Sequence, residues 1–236
     1  MTFWRFGVWI DEFASTLELL AFCEKHIERL EKKYLPLARI VHTRTVDDLF
    51  GTDQQKKNAR KERDATHLKS LRVMERIRGY NDWRLIAAKT AALALHDFGQ
   101  AHNQMNWILS RKCKGLSLLL DAEARKDANK IFHAQFNDIY TAIRGGISHM
   151  QEKFGFDHVG MDSHRPDEID EKHFWGLSLV NRTMRTTWKK KVHSLELEAS
   201  TVNKMEALCQ FWWAALNAAA AQTGAAPPKA PQFLTD

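Results

Sequence analysis

Arg144 and His149 stand five residues apart in the stretch RGGISH, and their side chains suit the metal-free cleavage of a phosphodiester. Histidine takes up and releases a proton near neutral pH. Arginine keeps its charge and grips two phosphate oxygens at once. Cleavage of RNA without a metal needs both functions, because protons must move at the 2′-hydroxyl and the leaving oxygen while the phosphorane is stabilised. The pattern predicts His149 as the acid/base and Arg144 as the phosphate ligand.

Two glycines, Gly145 and Gly146, separate this pair. On a straight helix, residues five apart project about 140° from each other. Glycine costs about 1 kcal/mol inside a helix, so two in a row favour a break that turns both side chains toward one cleft. They would also let a phosphodiester backbone approach the main chain. The alternative is an ordinary helix–helix turn with a capping glycine and a surface arginine.

The surrounding stretch, YTAIRGGISHM, resembles the HEPN superfamily, all-α proteins with an Arg-x4-His motif near a helix break. Arg144 and His149 match its two fixed positions. The resemblance implies a metal-independent endoribonuclease without cofactors, which leaves 2′,3′-cyclic phosphate and 5′-hydroxyl ends. It also implies a homodimer with one Arg–His pair from each subunit in a shared cleft. Members often act as toxins or in antiphage defence, so an antitoxin or a defence-system protein is an implied partner.

A second hypothesis belongs to another functional class. The family usually has Asn, Asp or His where this chain has Gly145. The chain would then be a non-catalytic helical module that binds a nucleotide or a protein partner through the same pocket. Gly145 favours this hypothesis, whereas the intact Arg–His pair and the basic runs described below favour the ribonuclease.

Three polar residues around the motif are candidate supporting groups. Ser148 could orient His149 or bind a phosphate, although a helix-capping hydroxyl explains it equally well. Asp138 and Glu152 could hold the imidazole or the guanidinium, although acidic residues on exposed helix faces are commoner.

The preceding helix contributes two more candidates, Asp97 and His102. Asp97 follows His96, and a buried carboxylate at this place would need a charged partner, for which Arg144 is a candidate. His102 lies on an apolar stripe. A histidine in that position is more often a hydrogen-bonded core residue than a catalytic one.

Three basic runs could follow RNA phosphates, and nearby tryptophans could stack on bases. Gly145, Gly146, Lys189 and Lys190 are the candidate substrate-binding residues. Solvated helix faces explain each run taken singly. The runs and tryptophans are Lys56–Arg63, Lys69–Arg78 and Arg182–Lys191, with Trp83, Trp175 and Trp188.

The loop DHVGMDSHRPDEIDEKH mixes histidine and aspartate, which are metal ligands in many proteins. Its spacing matches no standard site, so the sequence predicts a solvated loop and no metal. The residues concerned are His158, Asp162, His164, Asp167 and His173.

Apolar residues recur at helical spacing along most of the chain, which predicts an all-α antiparallel bundle with extra helices. We expect a single domain over residues 1–222, with 157–195 as a candidate insertion and a disordered tail over 223–236. Residues 34–67 look irregular and polar. The predicted helices are 11–33, 68–79, 83–111, 117–144 and 200–221, with some helix within 171–193.

Bulk properties narrow the class of protein. The chain has 236 residues and a net charge of +6, which permits a polyanionic partner without demanding one. Cys23, Cys113 and Cys209 are odd in number and far apart, so a disulfide framework is not expected. No apolar run approaches the ~20 residues of a membrane span. These features predict a cytoplasmic protein.

Overall fold

The structure, a computed structural model, describes residues 4–43, 46–120, 122–136, 139–140, 142, 177–188 and 191–226. Within these residues the fold is all-α with one small sheet, and the predicted fold class is confirmed. The helices are α1 Trp4–His42, α2 Val46–Phe50, α3 Asp53–Arg111, α4 Lys114–Leu119, α5 Ala122–Gln135 and α6 Ala199–Thr223.

The longest helix, α3, corrects the prediction for residues 34–67. From Asp53 onward, one continuous helix replaces the polar irregular stretch and the two shorter helices predicted after it, and the residues before it include the end of α1 and all of α2. The inward side chains of residues 53–70 are small or polar, as Thr66 and Ser70 show, so this part of the helix gives no apolar periodicity. The first helix is likewise longer than the predicted 11–33 and continues through Pro36.

The chain divides into two compact units, residues 18–87 and residues 1–17 with 88–236. The first unit, here called the helical hairpin, pairs the second half of α1 with the first half of α3. The two helices run antiparallel, since Tyr80 stacks on His26 with ring centroids 5.1 Å apart and Arg84, further along α3, pairs with Glu24, earlier on α1.

Buried side chains at heptad-like spacing line the inner face of α1 in the helical hairpin. On α1, the buried residues recur at steps of three and four, which is the seam of a two-helix coiled coil. They are Leu20, Cys23, Ile27 and Leu30. On α3, two inward positions are arginines, which keep their stems in the seam and pair with acidic residues. Arg84 lies 3.6 Å from Glu24, and Arg63 pairs with Asp48.

The second unit is a helical bundle around the second half of α3. Ala88, Ala91 and Ala92 are fully buried there, and their small side chains allow neighbouring helices to approach closely. Near the start of α1, Phe6 meets Phe98 edge-on with ring centroids 5.2 Å apart.

The α5 segment runs antiparallel to α3 in this unit, because successive aromatic residues meet α3 residues of falling number. The pairs are Phe132 with His102, Phe136 with Phe98 and Tyr140 with His96.

A three-stranded antiparallel sheet replaces the helix predicted within 171–193. Its strands, in order, are β1 Leu177–Val180, β2 Thr183–Trp188 and β3 Lys191–Glu196. Asn181 adopts a left-handed conformation (φ 54°) in the two-residue turn between β1 and β2, which asparagine tolerates better than most residues.

The last helix matches its prediction closely, since 200–221 was expected and α6 spans 199–223. Gly224 ends it with φ 63°, and its N–H donates to the carbonyl of Ala220. The tail beyond residue 226 lies outside the described residues. None of the described helices combines the length and the apolar character that crossing a membrane requires.

Candidate functional site

The predicted catalytic pair, Arg144 and His149, lies outside the described residues. The same holds for the neighbouring candidates and for the polar loop. They are Asp138, Gly145, Gly146, Ser148, Glu152, Lys189, Lys190, His158, Asp162, His164, Asp167 and His173. The structure describes the chain that leads to the pair as far as Ala142, and the face of α3 against which that chain packs. The described contacts are therefore those of the segment that precedes the motif.

Tyr140 packs against α3 at Gly99. A Cβ atom added at Gly99 would lie 2.5 Å from Cδ2 and 2.9 Å from Cε2 of the tyrosine ring, far inside van der Waals contact. Only glycine therefore admits the ring in this position. Two residues further on, Ala142 is fully buried. The chain is thus fixed in the bundle core just before it reaches Arg144.

His96 forms the other side of the Tyr140 contact. The two rings stack with centroids 5.3 Å apart and an interplanar angle of 14°. Nδ1 of His96 lies 3.0 Å from Oδ1 of Asp97, and Nε2 lies 3.5 Å from the amide nitrogen of Gln100. The neutral ring that satisfies both contacts donates from Nδ1 to the carboxylate and accepts at Nε2.

These contacts define the His96 cluster, made of His96, Asp97 and Tyr140. The side chain of Asp97 is 42% exposed, and its described partner is the neighbouring imidazole. A carboxylate this exposed has no need of a buried cation. The cluster places an imidazole and a carboxylate beside the segment that enters the motif, which is where a supporting group would be useful.

His102 belongs to the bundle core, with 1% of its surface exposed. The indole nitrogen of Trp212 can only donate, and it lies 3.1 Å from Nδ1 of the ring. Nδ1 is therefore the acceptor, and Nε2 carries the hydrogen and donates to Oδ1 of Asn129 at 3.1 Å. Nδ2 of Asn106 donates to the same oxygen at 2.7 Å.

This environment keeps His102 neutral. Burial lowers the pKa of the imidazole to about 4, and the hydrogen bond to Asn129 opposes the shift only in part. Both ring nitrogens are engaged, and the ring stacks on Phe132 with centroids 4.2 Å apart. The arrangement is that of a hydrogen-bonded core histidine and leaves no nitrogen for a substrate.

A cavity of about 270 Å³ lies between the end of α5 and the start of α6. Its charged residues are Glu196 and Lys204, and Phe136 and Ile139 form part of its wall. Pockets for drug-sized ligands usually measure ~300–1,000 Å³. The cavity is small for a nucleotide, and we assign it no ligand.

The three basic runs do not all lie in the same unit. Lys56–Arg63 and Lys69–Arg78 both lie on α3 in the helical hairpin, whereas the described part of Arg182–Lys191 consists of the residue before β2, β2 itself and the first residue of β3. Trp83 is 55% exposed on α3. Trp175 lies outside the described residues. The first two runs therefore share one continuous helix, which their sequence alone did not predict.

Within the described residues, no three histidine, cysteine or acidic side chains lie close enough together to bind a metal ion. No family model, curated protein or solved structure matches the chain.

Sequence reasoning did not single out Gly99 or Tyr140. A lone glycine within an apolar helical stripe is a known sign of close packing, so Gly99 carried a usable signal. The partner of that glycine could not be predicted, because the contact joins residues 41 positions apart.

Proposed function

We propose that the protein is a metal-independent endoribonuclease of the HEPN type. Arg144 binds and neutralises the scissile phosphate, and His149 moves protons between the 2′-hydroxyl and the leaving 5′-oxygen. The observation that carries the proposal is the Arg-x4-His motif in an all-α chain. The packing of Tyr140 on Gly99 supports it, because a rigid approach to the motif would hold a phosphate ligand in place.

The reaction is a transesterification. The 2′-oxygen attacks phosphorus as its proton is removed, and the P–O5′ bond breaks as the leaving oxygen is protonated. The products carry a 2′,3′-cyclic phosphate and a 5′-hydroxyl. In a homodimer, the two pairs share one cleft, so two imidazoles and two guanidiniums surround one phosphate.

Asp97 is a positioning residue in this scheme. Its carboxylate accepts from Nδ1 of His96, and that ring stacks on Tyr140. Loss of the carboxylate would free the imidazole to turn and would loosen Tyr140. We expect Asp97→Ala, which removes the acceptor, to lower kcat several-fold with little change in KM, whereas Asp127→Ala, at an exposed position on α5, leaves both unchanged.

Incubation of labelled RNA with the protein in EDTA tests the activity. Wild type should produce fragments whose 3′ ends resist phosphatase until acid opens the cyclic phosphate. Arg144→Ala and His149→Ala should each lower the rate at least a hundredfold. No cleavage by wild type, or equal cleavage by all three proteins, contradicts the ribonuclease.

The shared cleft is tested by light scattering under the assay conditions. A dimer is expected at the concentrations that cleave RNA. A protein that remains monomeric while it cleaves would show that one Arg–His pair is sufficient.

A non-catalytic binding module is the second candidate, and Gly145 favours it. The substitution Gly145→Asn supplies the polar side chain usual in the family at this position. A ribonuclease should gain rate from it, whereas a binding module should bind RNA or nucleotide and cleave neither before nor after the change.

A further inference from the structure

The net charge of the chain is concentrated in the helical hairpin. Residues 18–87 contain sixteen lysines and arginines against eleven aspartates and glutamates, which is +5 of the total of +6. The two helices differ sharply. Residues 18–43 of α1 hold five basic and four acidic side chains, whereas residues 53–87 of α3 hold ten and five. The positive excess therefore belongs to α3.

Four of the basic residues of α3 lie on one narrow face, here called the basic stripe. At 100° per residue, they project within an arc of about 80°. They are Lys61, Lys69, Arg72 and Arg76, and all four are exposed. The acidic residues of this half of α3 project outside the arc. The stripe is therefore a row of cations without an acidic residue, about 22 Å long at 1.5 Å per residue.

The basic stripe is not neutralised by neighbouring side chains. Among the described residues, none of its four members takes part in an ion pair, whereas the inward Arg63 and Arg84 do. Arg72 and Arg76 are four residues apart, and Lys69 is three residues from Arg72. Like charges at these spacings repel each other on a helix. A polyanion would relieve this repulsion, and release of its counterions would favour binding.

Trp83 extends the same face by two turns beyond Arg76. Its direction falls within the arc of the basic stripe, and 55% of its surface is exposed. An exposed indole next to a row of cations is the combination that binds single-stranded nucleic acid, because bases stack on the ring while phosphates meet the cations. An acidic protein could bind the cations of the basic stripe, but it would have no base to stack on the exposed indole.

We propose that the basic stripe and Trp83 form a docking surface for single-stranded RNA. Phosphates lie along the four cations, and one base stacks on the indole. This inference rests on the proposed function, because RNA is the ligand that such an activity requires. It adds a binding surface that ends at Trp83, 61 residues before Arg144 in sequence, and that belongs to a different unit of the chain.

Binding is measured by fluorescence anisotropy with a labelled 20-nucleotide single-stranded RNA over a salt series. Every protein carries His149→Ala so that the probe stays intact. The stripe variant is Lys61→Glu/Arg72→Glu/Arg76→Glu. Its matched control, Lys25→Glu/Arg29→Glu/Lys33→Glu, makes the same change in charge on exposed positions of α1 in the same hairpin.

The stripe variant should bind at least tenfold more weakly, and the slope of log affinity against log salt should fall by about two, at about 0.7 per lost phosphate contact. Trp83→Ala should weaken binding about tenfold and leave the slope unchanged. The control should stay within threefold of the His149→Ala parent.

Equal weakening by the stripe variant and its control would overturn the inference, since only net charge would then matter. So would the absence of RNA binding by the His149→Ala parent, or preferential binding of an acidic polypeptide. If circular dichroism shows that the stripe variant is unfolded, the glutamine versions of the same three residues replace it.

Cleavage of RNA by wild type together with unchanged RNA binding by the stripe variant would contradict this inference alone. Stripe-dependent binding without any cleavage removes the ribonuclease alone.

Discussion

Trp212 and His102 are 110 residues apart in sequence, and their side chains are joined in the core by a hydrogen bond of 3.1 Å from the indole to Nδ1. The bond fixes the tautomer of the histidine, and through Nε2 it extends to Asn129. It therefore ties α6 to α3 and to α5 with directional contacts. Apolar packing alone would allow these helices to rotate or slide, so the polar chain specifies their register.

Removing the indole donor should lower the stability of the folded protein. Trp212→Phe leaves Nδ1 of His102 as a buried acceptor without a donor, and it also opens space in the core. We expect a loss of at least about 2 kcal/mol in the free energy of unfolding. Urea unfolding measures it. Trp83→Phe, at an exposed position, should stay within about 0.5 kcal/mol of wild type, and equal losses would contradict the role of the bond.

His102 should make stability depend on pH. Its pKa is about 4 in the folded protein against 6.5 ordinarily, so the unfolded chain binds the proton more readily. The stabilisation is complete above pH 6.5 and is lost as the pH falls toward 4. Between pH 7.5 and 5, the expected loss is about 2 kcal/mol.

His102→Gln supplies the comparison for that pH series. The variant cannot take up a proton at this site, so the loss between pH 7.5 and 5 should be smaller by about 2 kcal/mol than in wild type. Parallel pH profiles for the two proteins would show that another group carries the effect.

Gly99 and Gly79 lie in the same helix and should respond oppositely to alanine. In Gly99→Ala the new methyl would strike the ring of Tyr140, so we expect a loss of about 1–3 kcal/mol. Gly79 has no neighbouring atom within 4 Å of an added Cβ, so Gly79→Ala should stabilise the helix by up to about 1 kcal/mol. Thermal unfolding compares them. A neutral Gly99→Ala would show that Tyr140 can move away freely.

The three thiols should differ in reactivity. Cys113 is exposed, whereas burial raises the pKa of Cys209 to about 12 and also raises the pKa of Cys23. Thiolate is the reactive form. With a disulfide reagent at pH 8, one thiol per chain should react within minutes and two only after denaturation. Cys113→Ser should abolish the fast phase, and a residual fast thiol would mean that a buried site opens readily.

Apolar periodicity predicted the parts of the fold whose inward residues are large or alanine-rich. The second half of α3 and all of α6 belong to this class, with residues such as Leu95 and Leu208 at zero or near-zero exposure. The same reasoning missed residues 53–67 of α3, because the inward positions there, such as Ala59 and Thr66, are small or polar. A seam of small polar residues has the period of a helix but no contrast in hydropathy.

The sheet was missed for a different reason. Met184 and Thr186 of β2 are buried, and Arg185 between them is not, which is the alternation of a strand. Each strand is only four to six residues long, so the signal spans two or three inward positions. For the candidate site, residue type and spacing suggest a phosphate-binding role for Arg144, which stays a prediction, whereas the packing of Tyr140 on Gly99 is a tertiary contact that no local pattern reveals.

The seam of the helical hairpin also sets how easily its ends open. Its buried apolar residues, such as Leu20 and Leu30, lie at one end, and among the described residues from 31 to 86 Ser70 alone is buried. Local opening free energy follows buried apolar contact. Amide protons near α2 should therefore exchange with solvent fastest, and those near Cys23 slowest. The hairpin would therefore open locally, beginning at the turn near α2, while the end that contains Leu20 and Leu30 stays folded.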